Sequence, residues 1–125
     1  MRVFGIDCGT EVTGFGVVDS DESSSTRQLV CRTVGCIRLA KSKTLPERLA
    51  QVYAALSAEL EQWHPEIVAI EEVFYSVNAK SALKLGQVRG VALLAAASHA
   101  CNGREGSVLL SPRFSALRDG ESAGV

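Results

Sequence analysis

Two short apolar stretches, residues 3–6 (VFGI) and 67–70 (IVAI), each run straight into a carboxylate, Asp7 and Glu71. Between them lies one long segment with helical periodicity. Leu45, Leu49, Val52, Tyr53, Leu56, Leu60 and Trp63 recur at steps of three and four, which puts them on one helix face. Thr44 and Glu47 have capping-box spacing, Pro46 fits a first turn, and Pro65 closes the segment. A helix lying between two strands predicts a crossover connection and a parallel pair. That narrows the chain to an α/β fold with both carboxylates at strand ends.

The rest of the chain can be read around that unit. Gly9 and Gly14 bracket a turn, and residues 15–19 resume as a second strand. The polar run DSDESSST reads as a solvated loop, and residues 29–37 form a third strand, completing an antiparallel meander. A second helix starts with Asn78 as cap and runs from Ala79 to about Ala100, where Asn102-Gly103 stops it. Gly86 and Gly90 lie four apart on one face of this helix, a costly choice for a helix interior. They predict close packing there, either on the sheet or against another subunit. Residues 108–110 make a fifth strand, and the tail FSALRDGESAGV has no apolar period and reads as unanchored.

Composition excludes several classes. With 125 residues, 46% hydrophobic and 22% charged, the chain has enough material for one globular domain with its own core. The net charge of −1 gives no global basic field, although a local basic face can coexist with it. Residues 91–97 are the longest apolar run, far short of the ~20 residues of a membrane span. No secretory signal is legible at the start. Cys8, Cys31, Cys36 and Cys101 form no CxxC pair, so they read as mostly buried thiols in a reducing cytoplasm.

Hard oxygen donors at the carboxyl ends of strands, where α/β sheets collect ligands, suit Mg²⁺ or Mn²⁺. The bland alternative is two solvated strand-end acids. At this point the residues reach a resemblance. "GIDCGTEVTGFGVVD", "LPERLAQVY", "VAIEEVFYSVNAKSALKLGQVRG" and "LLSPR" resemble the RuvC family of Holliday-junction resolvases, in order and spacing, over residues 1–113. The resemblance implies a ribonuclease-H-like mixed five-stranded sheet with flanking helices. It implies a cytoplasmic homodimer that cleaves two opposed strands of four-way junction DNA with Mg²⁺, Mn²⁺ being able to substitute. The ends left would be 5′-phosphate and 3′-hydroxyl, in DNA recombination and repair, beside a branch-migration helicase complex of RuvA and RuvB.

Residue by residue, Asp7 falls on the family's first metal carboxylate and Glu71 on the second. Phe74 matches the aromatic that the family wedges against junction bases; a core Phe is the alternative. Lys80, Lys84 and Arg89 are the cations available for phosphate, or else part of a solvated helix face. Gly86 and Gly90 fall on the helix implied as the dimer surface. The sequence also departs from the family. Cys8 stands where a proline is usual, and residues 114–125 match nothing, so the family's last helix with its two aspartates is expected to be missing. Such a chain is expected to cleave poorly. The first phosphate-loop-like block alone also fits an actin-like kinase or ATPase fragment, and a non-catalytic DNA-binding remnant is a third reading. The second block favours the resolvase.

Overall fold

The computed structural model describes residues 1–21, 25, 28–71, 78–99 and 107–111. Strands β1 (Arg2–Asp7), β2 (Val12–Asp21) and β3 (Gln28–Arg38) are followed by helix α1 (Leu45–Trp63), β4 (Ile67–Glu71), helix α2 (Ala79–His99) and β5 (Ser107–Ser111). The sheet order is β3-β2-β1-β4-β5. β1–β2 and β2–β3 are antiparallel, while β1–β4 and β4–β5 are parallel. The helical crossovers therefore occur where the sequence predicted the first of them, and the mixed five-stranded sheet is present.

Both helix starts follow the predicted chemistry. Thr44 and Glu47 exchange side-chain and backbone hydrogen bonds at the head of α1, and Pro46 sits in its first turn. His64, in the left-handed region at φ 48, ends it by donating its N–H to the Leu60 carbonyl. The Asn78 side chain accepts from the Ser81 N–H at 2.8 Å, capping α2.

One face of the sheet makes the core. Phe4, Ile6, Val17, Val68 and Ile70 are buried there against Val52, Leu56 and Leu60 of α1 and Val88, Ala92 and Ala96 of α2. Phe15 extends this layer by stacking on Phe4 at 5.5 Å. Truncating a fully buried leucine such as Leu56 to Ala costs about 2–5 kcal/mol in a core of this kind.

The opposite face is different. Register pairs Val3 with Val18, Gly5 with Gly16 and Asp7 with Gly14. Three glycines thus lie side by side on two strands, leaving a trough of about 540 Å³ with Asp7 and Glu71 at one end. Val34 (76% exposed) stands on its β3 side, and Leu29 (72%) is exposed farther along β3.

Three expectations need correction. Gly14 is no turn residue: it lies inside β2, which begins at Val12. Asp19 is also in β2 and is fixed by ion pairs, so the polar loop starts later than its composition suggested. The cysteines are not mostly buried, since Cys8 is buried but Cys31 and Cys36 are exposed. The cause is a register shift at Val17/Val18, which sets Cys31 opposite Val18 while Cys36 faces Gly14. Arg32 is the extra residue of that bulge, and the bulge brings both thiols onto the open face. Cys101 and the tail lie outside the described residues.

Candidate active site

The parallel register of β1 and β4 ends at Ile6 opposite Ile70, so the next residues, Asp7 and Glu71, stand side by side at the strand ends, Asp7 still paired with Gly14 of β2 and Glu71 with Ser111 of β5. Both line the same trough; Asp7 is exposed and Glu71 half-buried. Gly14 opposite Asp7 offers no side chain, which keeps the approach to the carboxylate open.

The loop that follows Asp7 is tied from several sides. Arg48 of α1 donates through Nη2 to the Thr10 carbonyl at 2.9 Å, and the Leu39 N–H donates to the Glu11 carbonyl at 3.0 Å. At Gly9 a Cβ would collide with the Val12 carbonyl, so glycine is required there for close backbone approach. Cys8 points into the core. Burial pushes its thiol up to about 11, Arg89 pulls it down, and Asp7 and Glu71 push it further up. A thiol of that kind stays protonated near neutral pH and is no nucleophile.

Lys80 and Lys84 are exposed on the first turns of α2, and Lys84 borders a cleft of about 160 Å³ with Thr10, Arg48 and Ser81. Arg89 behaves differently from these lysines. It is half-buried and its Nε donates to the Glu71 carbonyl at 3.4 Å. Gly86 and Gly90 are exposed, and a Cβ at either would meet nothing within 4 Å. Packing against the chain's own sheet is therefore not their reason. Phe74 lies outside the described residues.

The family model for crossover junction endodeoxyribonuclease RuvC matches residues 3–107, a stretch that contains both carboxylates. This chain belongs to the RuvC family. It is 58% identical over 101 residues to the RuvC of Acidobacterium capsulatum, covering 78% of this chain and 59% of that protein. The Koribacter versatilis RuvC is 53% identical over 97 residues, with 78% and 57% covered. The chain thus spans somewhat under two thirds of the length of these relatives. Among solved structures, a Thermus thermophilus RuvC in complex with a Holliday junction substrate superposes with a TM-score of 0.80. That match is 24% identical and covers 94% of this chain and 70% of the other, which establishes a shared fold.

Within this chain, reading the sequence missed the supports behind the carboxylates. Arg48 was legible only as part of a helix motif and Arg89 only as a cation. Neither hydrogen bond has a local signature, because the partners lie 38 and 18 residues away. No helix of the described residues is long and apolar enough to cross a membrane.

Proposed function

We propose that this chain acts as a structure-selective endonuclease on four-way DNA junctions, hydrolysing two opposed strands with Mg²⁺ to leave 5′-phosphate and 3′-hydroxyl ends. The observation that carries the reading is the placement of Asp7 and Glu71 at neighbouring ends of parallel strands, beside a glycine-lined open face. Two like charges held together repel unless a cation meets them. Among the described residues no group of three His, Cys, Asp or Glu surrounds a common point. Two carboxylates nevertheless fit Mg²⁺, which keeps several waters and takes its remaining partners from substrate phosphate. When bound, that ion supplies Lewis-acid stabilisation of a phosphoryl group under attack by water.

The chain's own residues then have separate tasks. Asp7 and Glu71 hold the cation. Lys80 and Lys84, exposed on the first turns of α2, with Lys84 beside the loop that follows Asp7, meet the junction's phosphates. Phe74 stacks on a base, an interaction worth roughly 1–3 kcal/mol that tolerates any sequence. A homodimer forms through α2, whose exposed stripe of Leu83 (66%), Gly86, Gly90 and Leu94 (58%) lets two helices approach closely. Two-fold symmetry would then present two sites to two opposed strands. RuvA and RuvB would be the partners that move the junction.

The test is nicking of a mobile synthetic four-way junction in Mg²⁺ or Mn²⁺. With only two carboxylates to hold the ion, the chain should nick two symmetry-related strands slowly, and Glu71→Gln should reduce that slow rate by at least about a hundredfold. Equal nicking by parent and variant would remove the carboxylate pair from the chemistry.

A further inference from the structure

Arg89 sits next to buried Val88 on α2, on the helix side of the sheet, behind the two strand ends. Its Nε donates to the carbonyl of Glu71, the residue with which β4 ends. The ladder between β1 and β4 stops one residue earlier, at Ile6 and Ile70. Arg89 therefore ties Glu71 to α2 where pairing with β1 has run out and β5 alone, through Ser111, still pairs with it. Its Nη2 is buried with no hydrogen-bond partner, unlike the exposed ammonium groups of Lys80 and Lys84. Cys8 feels the Arg89 charge together with those of Asp7 and Glu71, so all four groups share one neighbourhood. A guanidinium so placed is poorly presented to a DNA phosphate.

We propose that Arg89 is a positioning residue for a divalent cation: by holding the Glu71 carbonyl from the helix side, it keeps the Glu71 carboxylate level with that of Asp7, so that both reach one ion. This rests on the reading of Asp7 and Glu71 as metal ligands. It also replaces the role of phosphate contact that Arg89 shared with Lys80 and Lys84.

The charge of Arg89 and its geometry act in opposite directions, which gives the test a sign. A nearby cation repels a metal ion, so removing the charge alone would tighten metal binding. Losing the tie to Glu71 would weaken it, and groups that orient metal ligands typically contribute 10–100-fold in affinity. Mn²⁺ binding is measured by calorimetry without DNA on the parent, Arg89→Met, Arg89→Lys and Asp7→Asn, each with its melting temperature. Salt dependence of junction binding is measured in parallel.

Arg89→Met should bind Mn²⁺ about tenfold more weakly with a melting temperature close to the parent's. Arg89→Lys should recover part of the affinity, since it keeps a donor without the planar fork. The salt dependence should not change. Unchanged or tighter Mn²⁺ binding by Arg89→Met overturns the inference, as does a loss that only follows a fall in melting temperature. So does a salt slope reduced by about one phosphate contact with Mn²⁺ affinity intact, which would return Arg89 to the DNA surface. Should Arg89→Met fail to fold, Arg89→Lys decides: weaker binding than the parent supports the inference and equal binding overturns it. If Asp7→Asn binds Mn²⁺ like the parent, the metal reading itself fails. If Asp7→Asn loses binding and Arg89→Met keeps it, only the role of Arg89 fails.

Discussion

The two ends of β1 handle charge in opposite ways. At its start, Arg2 donates to both Asp19 oxygens at 2.8 and 3.0 Å and to the Trp63 carbonyl at 2.8 Å, with its guanidinium 5.3 Å from the Trp63 ring centre. Arg32 reaches the same aspartate at 2.8 Å. At its other end Asp7 stands beside Glu71, and no salt bridge among the described residues reaches Asp7. One aspartate is surrounded by cations of the chain's own, while the other is grouped with a second acid. The first arrangement serves the fold. The second groups two acids at one end of the sheet, the arrangement that the proposed cation would complete.

The contrast can be broken most directly at Asp7. Asp7→Asn should lower junction nicking at least about a hundredfold while leaving the melting temperature equal or higher, because a like-charge repulsion is relieved. Lost stability with retained nicking would reverse the assignment of the two ends. Gly9→Ala probes the loop that carries the site. Its Cβ would press on the Val12 carbonyl, and relief of such crowding typically costs about 1–3 kcal/mol, read as a shift in the urea midpoint. A variant as stable as the parent would show that this loop has slack.

Asp19→Asn sharpens the comparison from the other side. Hydrogen bonds from Arg2 and then Arg32 hold the Asp19 carboxyl well below the usual carboxylate range. Its contribution is therefore present above the unfolded pKa of about 3.9 and is lost as pH falls through the lower folded value. The parent's melting temperature should drop on acidification through this range, and that of Asp19→Asn should start lower and drop less. Mn²⁺ affinity should not change. The smallest effect is expected for Lys41→Ala, which removes a 3.7 Å pair with Glu11 between side chains 83% and 64% exposed. Such pairs contribute about 0.2–1 kcal/mol, so a larger loss would mean that Lys41 steadies the loop after Asp7.

Much of this was legible from the chain because it depends on neighbours in sequence. The capping box at Thr44 and Glu47, the apolar spacing of α1, the Asn78 cap and the run of each buried strand into its carboxylate are local patterns, and each appears where it was read. The placement of Lys80 and Lys84 on the first turns of α2 follows from the same periodicity. The identity of Arg89 as a cation was legible too, but its partner was not.

The sequence by itself determined the order of strands and helices along the chain, a helical crossover with a parallel pair, and that β1 and β4 each end in a carboxylate. Side-chain periodicity and capping act over a few residues, so the chain states them directly. Only the tertiary structure decided that β4 lies beside β1, that Gly14 belongs to β2 opposite Asp7, that the bulge at Arg32 turns Cys31 and Cys36 to one face, that Asp19 gathers Arg2 and Arg32, that Arg48 holds the loop after Asp7 and that Arg89 meets the Glu71 carbonyl. Those contacts join groups distant along the chain or depend on a register one residue out of step. A one-residue shift reverses every side chain's face, and no local pattern can announce it.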